Sequence, residues 1–201
     1  DNTLFDTLRL GADTAALLDK VFGISPEDYW KSSDEMFAAN KKVYAALLHA
    51  RFLAKRVGKD EEEMVQWFTE RFNAEDSPSY VFDDSVAFLN AAKERGTVVI
   101  LTFGEDFVQA PRVRKSGLAA LVSDVVITQE KKADTIAAYL ASHGASAESG
   151  IALIDDSLEH LDGVKERFPD ALTVHLVRDP SKPTPPIHKR ATSLSEVLAV
   201  I

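Results

Sequence analysis

The sequence predicts an α/β protein in which an open, parallel, Rossmann-like sheet is flanked by helices and carries an inserted α-helical cap. Three observations predict this fold class. Short apolar runs rich in β-branched residues recur after residue 96, segments with helical spacing separate these runs, and residues 12 to about 80 contain no convincing strand. Runs that are apolar on both faces are typical of buried parallel strands.

The predicted cap is a small helical module. A helix over residues 12–22 ends at Gly23, and Ser25 followed by Pro26 is a typical helix start. A long helix is predicted from about residue 42 to residue 57. A last helix, from about residue 60 to residue 72, has one apolar face, formed by Met64, Trp67, Phe68 and Phe72.

The sheet and its helices are predicted from residue 83 onward. A helix with apolar spacing ends before Gly96, and a capping-box pattern at residues 193–196 starts a last helix. The predicted strands are residues 97–103, 125–128, 151–154 and 172–177, and the helices between them include residues 133–142 and 158–168. We therefore assign residues 1–11 and 83–201 to the α/β core and residues 12–82 to the cap.

Composition excludes several classes of protein. The 201 residues carry a formal net charge of −9, include no cysteine, and contain no run of about 18 apolar residues that a membrane helix requires. Nucleic-acid binding depends on Lys and Arg that neutralise phosphates, so an acidic chain disfavours it. Without cysteine, disulfides, thiolate metal sites and a cysteine nucleophile are excluded. We expect neither a nucleic-acid nor a membrane partner, and a cytoplasmic location is the simplest expectation.

Polar residues that could bind a metal or take part in catalysis follow the apolar runs. Thr102 closes one run, Lys131 and Lys132 come shortly after the next, and Asp155-Asp156 follow a third. In open parallel sheets the reactive groups gather beyond the carboxyl ends of the strands. These groups are therefore expected to meet in one crevice, and Asp1 joins them if a strand precedes it. Carboxylates, a hydroxyl and an ammonium are suited to hold a divalent metal and a phosphoryl group.

These residues resemble the motifs of the haloacid dehalogenase superfamily, a large group of mostly Mg²⁺-dependent phosphatases. Its first motif has the form Asp-x-Asp-x-Thr-Leu, and Asp1-Asn2-Thr3-Leu4 matches the second half. The later motifs are matched in order by Thr102, by Lys132 or its neighbour Lys131, and by Asp155-Asp156. The helical insertion resembles the C1-type cap of this superfamily, and the resemblance covers nearly the whole chain.

The resemblance implies a Mg²⁺-dependent hydrolase that cleaves phosphate monoesters of small metabolites through an aspartyl-phosphate. The nucleophilic aspartate is expected two positions before Asp1, at the end of a further, central strand. Asp1 is then the general acid and base, Thr102 binds a phosphoryl oxygen, and Lys132 or Lys131 neutralises charge. The predicted Mg²⁺ ligands are Asp155, Asp156 and the backbone carbonyl of Asp1.

Other functions stay open at this point. Asp1 could itself be the nucleophile, as in P-type ATPases, although Leu4-Phe5 stands where those proteins continue with Gly-Thr. A phosphomutase or a haloacid dehalogenase would have the same fold, but dehalogenases of this family lack the second aspartate of the first motif. A catalytically inactive binding protein would lack the upstream aspartate. A phosphorylatable receiver module uses similar groups, but there the acid pair comes first in the sequence.

Each motif residue also has a purely structural explanation. Asp155-Asp156 could cap the following helix, Thr102 could be an ordinary strand residue, and at least one of Lys131 and Lys132 is expected to be a surface charge. Candidates for the entrance in the cap are Tyr29, Trp30, Tyr44, His49 and Arg51. Their spacing identifies no substrate, and nothing in the sequence indicates an oligomeric state.

Overall fold

The computed structural model of the protein describes residues 1–179 and 181–201. Four helices form the first part of the chain. Their bounds are Thr7–Phe22 (α1), Pro26–Ala39 (α2), Ala46–Val57 (α3) and Glu61–Asn73 (α4). A short 3₁₀ turn at Ser77–Tyr80 leads back to the core.

The starts of two cap helices differ from the prediction for local reasons. Helix α1 begins at Thr7 because the side chain of Asp6 accepts a hydrogen bond from the backbone N–H of Arg9 over 2.9 Å. The predicted boundary between core and cap, at residues 11 and 12, therefore lies inside α1. Helix α3 begins at Ala46 rather than near residue 42, because Lys41 and Lys42 have positive φ angles of 52° and 64°.

The cap has its own apolar interior. Leu18 of α1, Leu53 of α3, and Met64 and Phe68 of α4 are fully buried against one another. Full burial of side chains of this size contributes about 1.5–3 kcal/mol each. The predicted apolar face of α4 thus forms part of the centre of the cap.

The remaining elements form the α/β part. The helices are Ser85–Lys93 (α5), Asp106–Lys115 (α6), Lys132–Ser142 (α7), Leu158–Arg167 (α8) and Leu194–Val197 (α9). The strands are Val99–Phe103 (β1), Asp124–Thr128 (β2), Ala152–Asp155 (β3), Leu172–Leu176 (β4) and Lys189–Ala191 (β5). The predicted parallel α/β architecture is confirmed. The sequence did not indicate α6, which contains Pro111, or β5, which is short and carries Lys189 and Arg190.

The strands form two parallel sheets. One has the order β1-β2 and the other β3-β4-β5, and within the described residues no ladder joins β1 to β3. One apolar cluster nevertheless spans both sheets, since it contains Ile100 of β1, Val174 of β4 and Leu194 of α9. A strand before Asp1 that would lie between the sheets stays a prediction. In the described residues, no helix has both the length and the apolar character needed to cross a membrane.

Candidate active site

The predicted motif residues lie at the carboxyl ends of the strands. Thr102 is the buried, penultimate residue of β1. Asp155 is the last residue of β3 and Asp156 follows it, while Lys132 is the first residue of α7, shortly after β2. Because parallel strands end on one side of a sheet, this arrangement places four polar groups around one edge.

Lys132 and Asp155 form a buried ion pair. The Nζ of Lys132 donates to Oδ2 of Asp155 over 2.6 Å, and both side chains are less than a tenth exposed. Oδ1 of Asp155 accepts from the backbone N–H of Ser157 over 2.9 Å and lies 3.3 Å from Nδ1 of His160. Burial alone would raise the pKa of the Asp155 carboxyl, but the charge of Lys132, with help from His160, holds it well below its usual range. Lys131 is exposed, so Lys132 is the lysine that faces this edge.

The Asp1 carboxylate is held by two side chains of α6. Its Oδ2 accepts a hydrogen bond from Nε2 of Gln109 over 2.9 Å, and its Oδ1 accepts from Arg112 over 3.2 Å. Nε2 of Gln109 also lies 3.4 Å from the carbonyl oxygen of Phe103, the last residue of β1. Asp1 is therefore tied to the β1 side of the site.

The loop that presents Asp1 reaches across to β3. Asn2 has a left-handed φ of 51°, which asparagine tolerates better than most residues. The backbone N–H of Thr3 donates to the carbonyl oxygen of Asp1 over 2.6 Å, and Arg178 donates to the carbonyl oxygen of Thr3 over 2.8 Å. Oγ1 of Thr3 lies 3.4 Å from Oδ1 of Asp156. Residues 1–3 thus connect the carboxyl ends of the two sheets.

The backbone of Asp1 lies among the charges of the site. Its nitrogen is buried near Lys132, Asp156 and Asp155. The structure therefore brings Asp1 together with three of the other predicted site residues.

Arg112 connects Asp1 to the point where the chain leaves the cap. Its guanidinium is 8% exposed and lies 4.9 Å from the ring centre of Phe5. Its Nε is 3.7 Å from Oε1 of Glu75, which is also buried and accepts a hydrogen bond from Ser77 over 2.7 Å. Glu75 lies between α4 and the 3₁₀ turn. Two carboxylates, one from the core and one from the cap connection, thus neutralise a single buried arginine.

A cavity of about 280 Å³ opens above Asp1 between the core and the cap. This volume is near the lower end of the range of roughly 300–1,000 Å³ for small-molecule sites. Most of the wall is apolar or aromatic and comes from α1, α2 and α4. The polar wall consists mainly of Asp1, Gln109, Arg112, Glu75 and Arg71.

Of the aromatic candidates in the cap, Tyr29, Trp30 and Tyr44 line this cavity. His49 is fully buried behind them, with its Nδ1 3.1 Å from the hydroxyl of Tyr44 and its Nε2 3.1 Å from the carbonyl oxygen of Tyr29. Burial lowers the pKa of His49 to about 4. Arg51 is on the surface, where it pairs with Glu61 over 3.1 Å.

The donors available for a divalent cation are limited. Among the described residues, no three His, Asp or Glu side chains are grouped to hold a metal ion. Both oxygens of Asp155 have protein partners, so the prediction that it is a metal ligand stays a prediction. The Asp156 carboxylate and the carbonyl oxygen of Asp1 lie on either side of Thr3. Hard oxygen donors of this kind suit Mg²⁺, which usually takes one or two carboxylates and keeps several waters.

The sequence did not reveal Gln109, Arg112, Glu75 or His160 as site residues. Gln109 and Arg112 are three residues apart and would share one helical face, but α6 itself was not predicted. Glu75 carries no sequence signal, because Arg112 is remote in the chain. His160 lies only five residues after Asp155, but that spacing matches no motif.

Comparison with known proteins identifies similar folds. No protein-family model and no curated protein sequence matches the chain. Solved structures do match over nearly its full length. A haloacid dehalogenase-like hydrolase from Burkholderia xenovorans LB400 is 21% identical, with a TM-score of 0.79 over 99% of this chain and 92% of its own.

Two further solved structures share this fold. The HAD-hydrolase YfnB from Bacillus subtilis, bound to magnesium, is 18% identical, with a TM-score of 0.75 over 100% of this chain and 94% of its own. A HAD phosphatase from Thermococcus onnurineus is 16% identical, with a TM-score of 0.64 over 100% of this chain and 94% of its own. Dehalogenases are also among the similar structures.

Proposed function

Because the chain has the fold of the haloacid dehalogenase-like hydrolases, we propose that it is a Mg²⁺-dependent hydrolase of small phosphate monoesters. The reaction passes through an aspartyl-phosphate. Its nucleophile is the carboxylate predicted two positions before Asp1. The comparisons support the fold, and the choice of phosphate ester depends on the residues of the site.

In the first half of the reaction, the nucleophilic carboxylate attacks phosphorus as the bond to the alcohol oxygen breaks. The departing alkoxide takes a proton from the Asp1 carboxyl, so a neutral alcohol leaves. In the second half, Asp1 removes a proton from water as the water oxygen attacks phosphorus. The bond from phosphorus to the enzyme carboxylate then breaks, which releases inorganic phosphate and restores the enzyme.

The other residues hold and neutralise the phosphoryl group. The hydroxyl of Thr102 donates to a phosphoryl oxygen, and Lys132 supplies positive charge at the same edge. Asp155 acts as a positioning residue, since it fixes the Lys132 ammonium through the 2.6 Å ion pair. Gln109 and Arg112 fix the orientation of the Asp1 carboxylate.

Asp156 and the backbone carbonyl of Asp1 would hold the Mg²⁺, with the predicted upstream carboxylate. Bound there, the ion would offset the repulsion between the anionic phosphoryl group and the attacking carboxylate. The magnesium bound to the similar hydrolase YfnB supports this assignment.

One observation favours a phosphate ester over an organic halide as the substrate. Asp1 lines the cavity, where Gln109 and Arg112 hold its carboxylate. Its backbone nitrogen lies near Lys132, Asp155 and Asp156. An alkoxide is a strong base and leaves only with a proton, whereas a halide leaves as the free anion. A proton carrier at this position is therefore required for ester cleavage and has no role in halide release.

The test is phosphate release from a panel of phosphate monoesters by the full-length chain, with and without Mg²⁺. Asp1→Asn is expected to lower the rate by at least about 10²–10⁴-fold while leaving the unfolding transition in place, because a general acid and base is lost. Asp19→Asn, an exposed acid on α1, is the matched control and is expected to retain the rate. Wild-type rates in Asp1→Asn would remove Asp1 from this role, and halide release without phosphate release would replace the proposal.

A further inference from the structure

One side of α6 joins the Asp1 carboxylate to the end of the cap. Gln109, Arg112 and Lys115 follow one another at intervals of three residues, so neighbouring members of this set lie close together along the helix. Gln109 and Arg112 hold Asp1, whereas Lys115 donates hydrogen bonds to backbone carbonyls in the last turn of α4. The same helix therefore contacts both the proposed proton carrier and the cap.

The contact between Gln109 and Asp1 is fixed within the core. Nε2 of Gln109 lies close to the carbonyl oxygen of Phe103 as well as to Asp1, and it passes over Gly104, the residue after β1. A Cβ at Gly104 would be only 2.8 Å from this nitrogen, so the lack of a side chain there allows the close approach. The partners that orient Gln109 thus belong to the core.

The contact between Arg112 and Asp1 involves the cap connection as well. Arg112 is buried, and a buried guanidinium is costly unless carboxylates accompany it. Its Nη1 donates to Asp1 over 3.2 Å, while its Nε lies 3.7 Å from Oε1 of Glu75, which is longer than a hydrogen bond but close enough for attraction between charges. Burial lowers the pKa of Arg112, and the charge of Glu75 is the strongest influence in the opposite direction.

Glu75 is held in place on its own side. It is buried, and its Oε1 accepts a hydrogen bond over 2.7 Å from Ser77, which has no exposed surface. Lys115 donates over 2.7 Å to the carbonyl oxygen of Asn73, two residues before Glu75. The Glu75 carboxylate is therefore fixed where α4 ends, against the guanidinium of Arg112.

Two carboxylates at two different nitrogens fix the orientation of Arg112. A guanidinium is planar and rigid, so attraction at Nε and at Nη1 together sets the direction of the whole group. Among the described residues, Asp1 and Glu75 are the only carboxylates that pair with Arg112. Without the charge of Glu75, one side of the guanidinium would lose its anionic partner, and the group could turn.

We propose that Glu75 is a positioning residue for the reaction, because it holds Arg112 in the orientation that presents Nη1 to the Asp1 carboxylate. This inference rests on the proposed function, which gives Asp1 its role as proton carrier. Glu75 acts through Arg112, so the connection between cap and core contributes to the chemistry at the strand edge. Loss of its charge loosens one of the two contacts that orient Asp1 and leaves the contact with Gln109 in place.

The test variant is Glu75→Gln in the full-length chain. Glutamine keeps the size of the side chain and an oxygen that can accept the hydrogen bond from Ser77, so the main change is the loss of charge. Lys115→Met is the matched control. It removes the other polar contact between α6 and the end of α4 but leaves the pair of Glu75 and Arg112 intact.

Phosphate release with Mg²⁺ gives kcat and KM. We expect Glu75→Gln to lower kcat about tenfold to 10²-fold with KM changed by less than about twofold, because the orientation of a reacting group is lost rather than uniform binding. Lys115→Met is expected to keep kcat within about twofold of the wild type, as a surface contact remote from Asp1. In the Arg112→Gln background, Glu75→Gln is expected to lower kcat no further, because the residue through which it acts is gone.

A second readout does not depend on turnover. In protein labelled with ¹⁵N in arginine, the Nη signals of Arg112 report rotation of its guanidinium, and their loss in Arg112→Gln assigns them. A guanidinium held at two nitrogens rotates slowly and gives separate Nη signals. We expect separate signals in the wild type and in Lys115→Met, and merged signals in Glu75→Gln.

Merged signals in the wild type would overturn the inference whatever the variants do. Separate signals in Glu75→Gln, equal losses of kcat in Glu75→Gln and Lys115→Met, or a further loss in the Arg112→Gln background would also overturn it. If the signals merge in Glu75→Gln alone but the wild type releases phosphate from no ester, the orientation of Arg112 by Glu75 stands and the hydrolase proposal alone is refuted.

Discussion

The strand edge of the core and the interior of the cap both bury polar side chains, but they do so in different charge states. At the strand edge, Lys132 and Asp155 are buried as ions 2.6 Å apart. In the cap, His49 is buried as a neutral ring whose partners are the hydroxyls of Tyr44 and Ser32 and the carbonyl of Tyr29.

This difference in charge state has a physical cause in each region. A buried ion is costly unless an opposite charge accompanies it, so the strand edge depends on partners that the fold brings from remote elements. A neutral network costs less to bury and fixes the direction of each hydrogen bond. The strand edge of the core thus concentrates charge, whereas the cap interior holds a neutral hydrogen-bond network.

The largest effect is expected from breaking the buried ion pair. Lys132→Met leaves the Asp155 carboxylate buried without its cation, and we expect the free energy of unfolding at pH 7 to fall by about 3–5 kcal/mol. Urea unfolding measures this change. Lys131→Met is the matched control, because Lys131 is exposed, and its effect is expected to stay within about 0.5 kcal/mol.

A second variant separates the lost charge pair from lost packing. Lys132→Met combined with Asp155→Leu removes both charges, and it is expected to recover much of the stability that Lys132→Met loses. Equal stabilities for Lys132→Met and Lys131→Met would show that the strand edge does not depend on the pair.

The neutral histidine of the cap predicts a loss of stability in mild acid. The ordinary pKa of 6.5 applies to the unfolded chain, whereas burial lowers the pKa of His49 to about 4 in the folded protein. Between these two values only the unfolded chain binds the proton. Stability therefore falls as the pH decreases from 6.5 to 4, by about 3 kcal/mol in total, and this contribution is constant below pH 4.

Urea unfolding at a series of pH values, for the wild type and for His49→Gln, measures this contribution. Burial also lowers the pKa of His175, so the wild-type curve contains both histidines and the difference between the two proteins isolates His49. The Asp155 contribution is lost only below the ordinary aspartate pKa of 3.8, in a separate interval. Parallel curves for the two proteins between pH 6.5 and 4 would mean that folding does not shift the pKa of His49.

The sequence predicted features that come from local patterns or from strand order, and it missed contacts between remote elements. The apolar face of a buried helix has a local, periodic spacing, so the sequence predicted that Met64 and Phe68 lie in the cap interior. The motif order indicated that Asp1, Thr102, Lys132 and Asp155-Asp156 would meet, because the ends of parallel strands are set by topology. The partners of Asp1, by contrast, come from α6. This helix was not predicted, because it contains Pro111 and lacks regular apolar spacing. Which atom of His49 carries a proton depends on a carbonyl twenty residues away and has no sequence signal.

The smallest effect is expected at a glycine where the cap meets the cavity. Gly11 lies within α1, and a Cβ there would be 2.5 Å from Cη2 of Trp30, so the indole ring must move. Alanine favours the helix by about 0.5–1 kcal/mol over glycine, which offsets the displacement. We expect Gly11→Ala to change the free energy of unfolding by no more than about 1 kcal/mol while altering tryptophan emission, because Trp30 is partly exposed in the cavity wall.

Gly96→Ala is the matched control in the core, because a Cβ at Gly96 meets no atom within 4 Å. Its tryptophan emission is expected to equal that of the wild type. If Gly11→Ala also left the emission unchanged, the indole would not pack on α1. The wall of the cavity would then be movable, whereas the strand edge keeps its ion pair fixed.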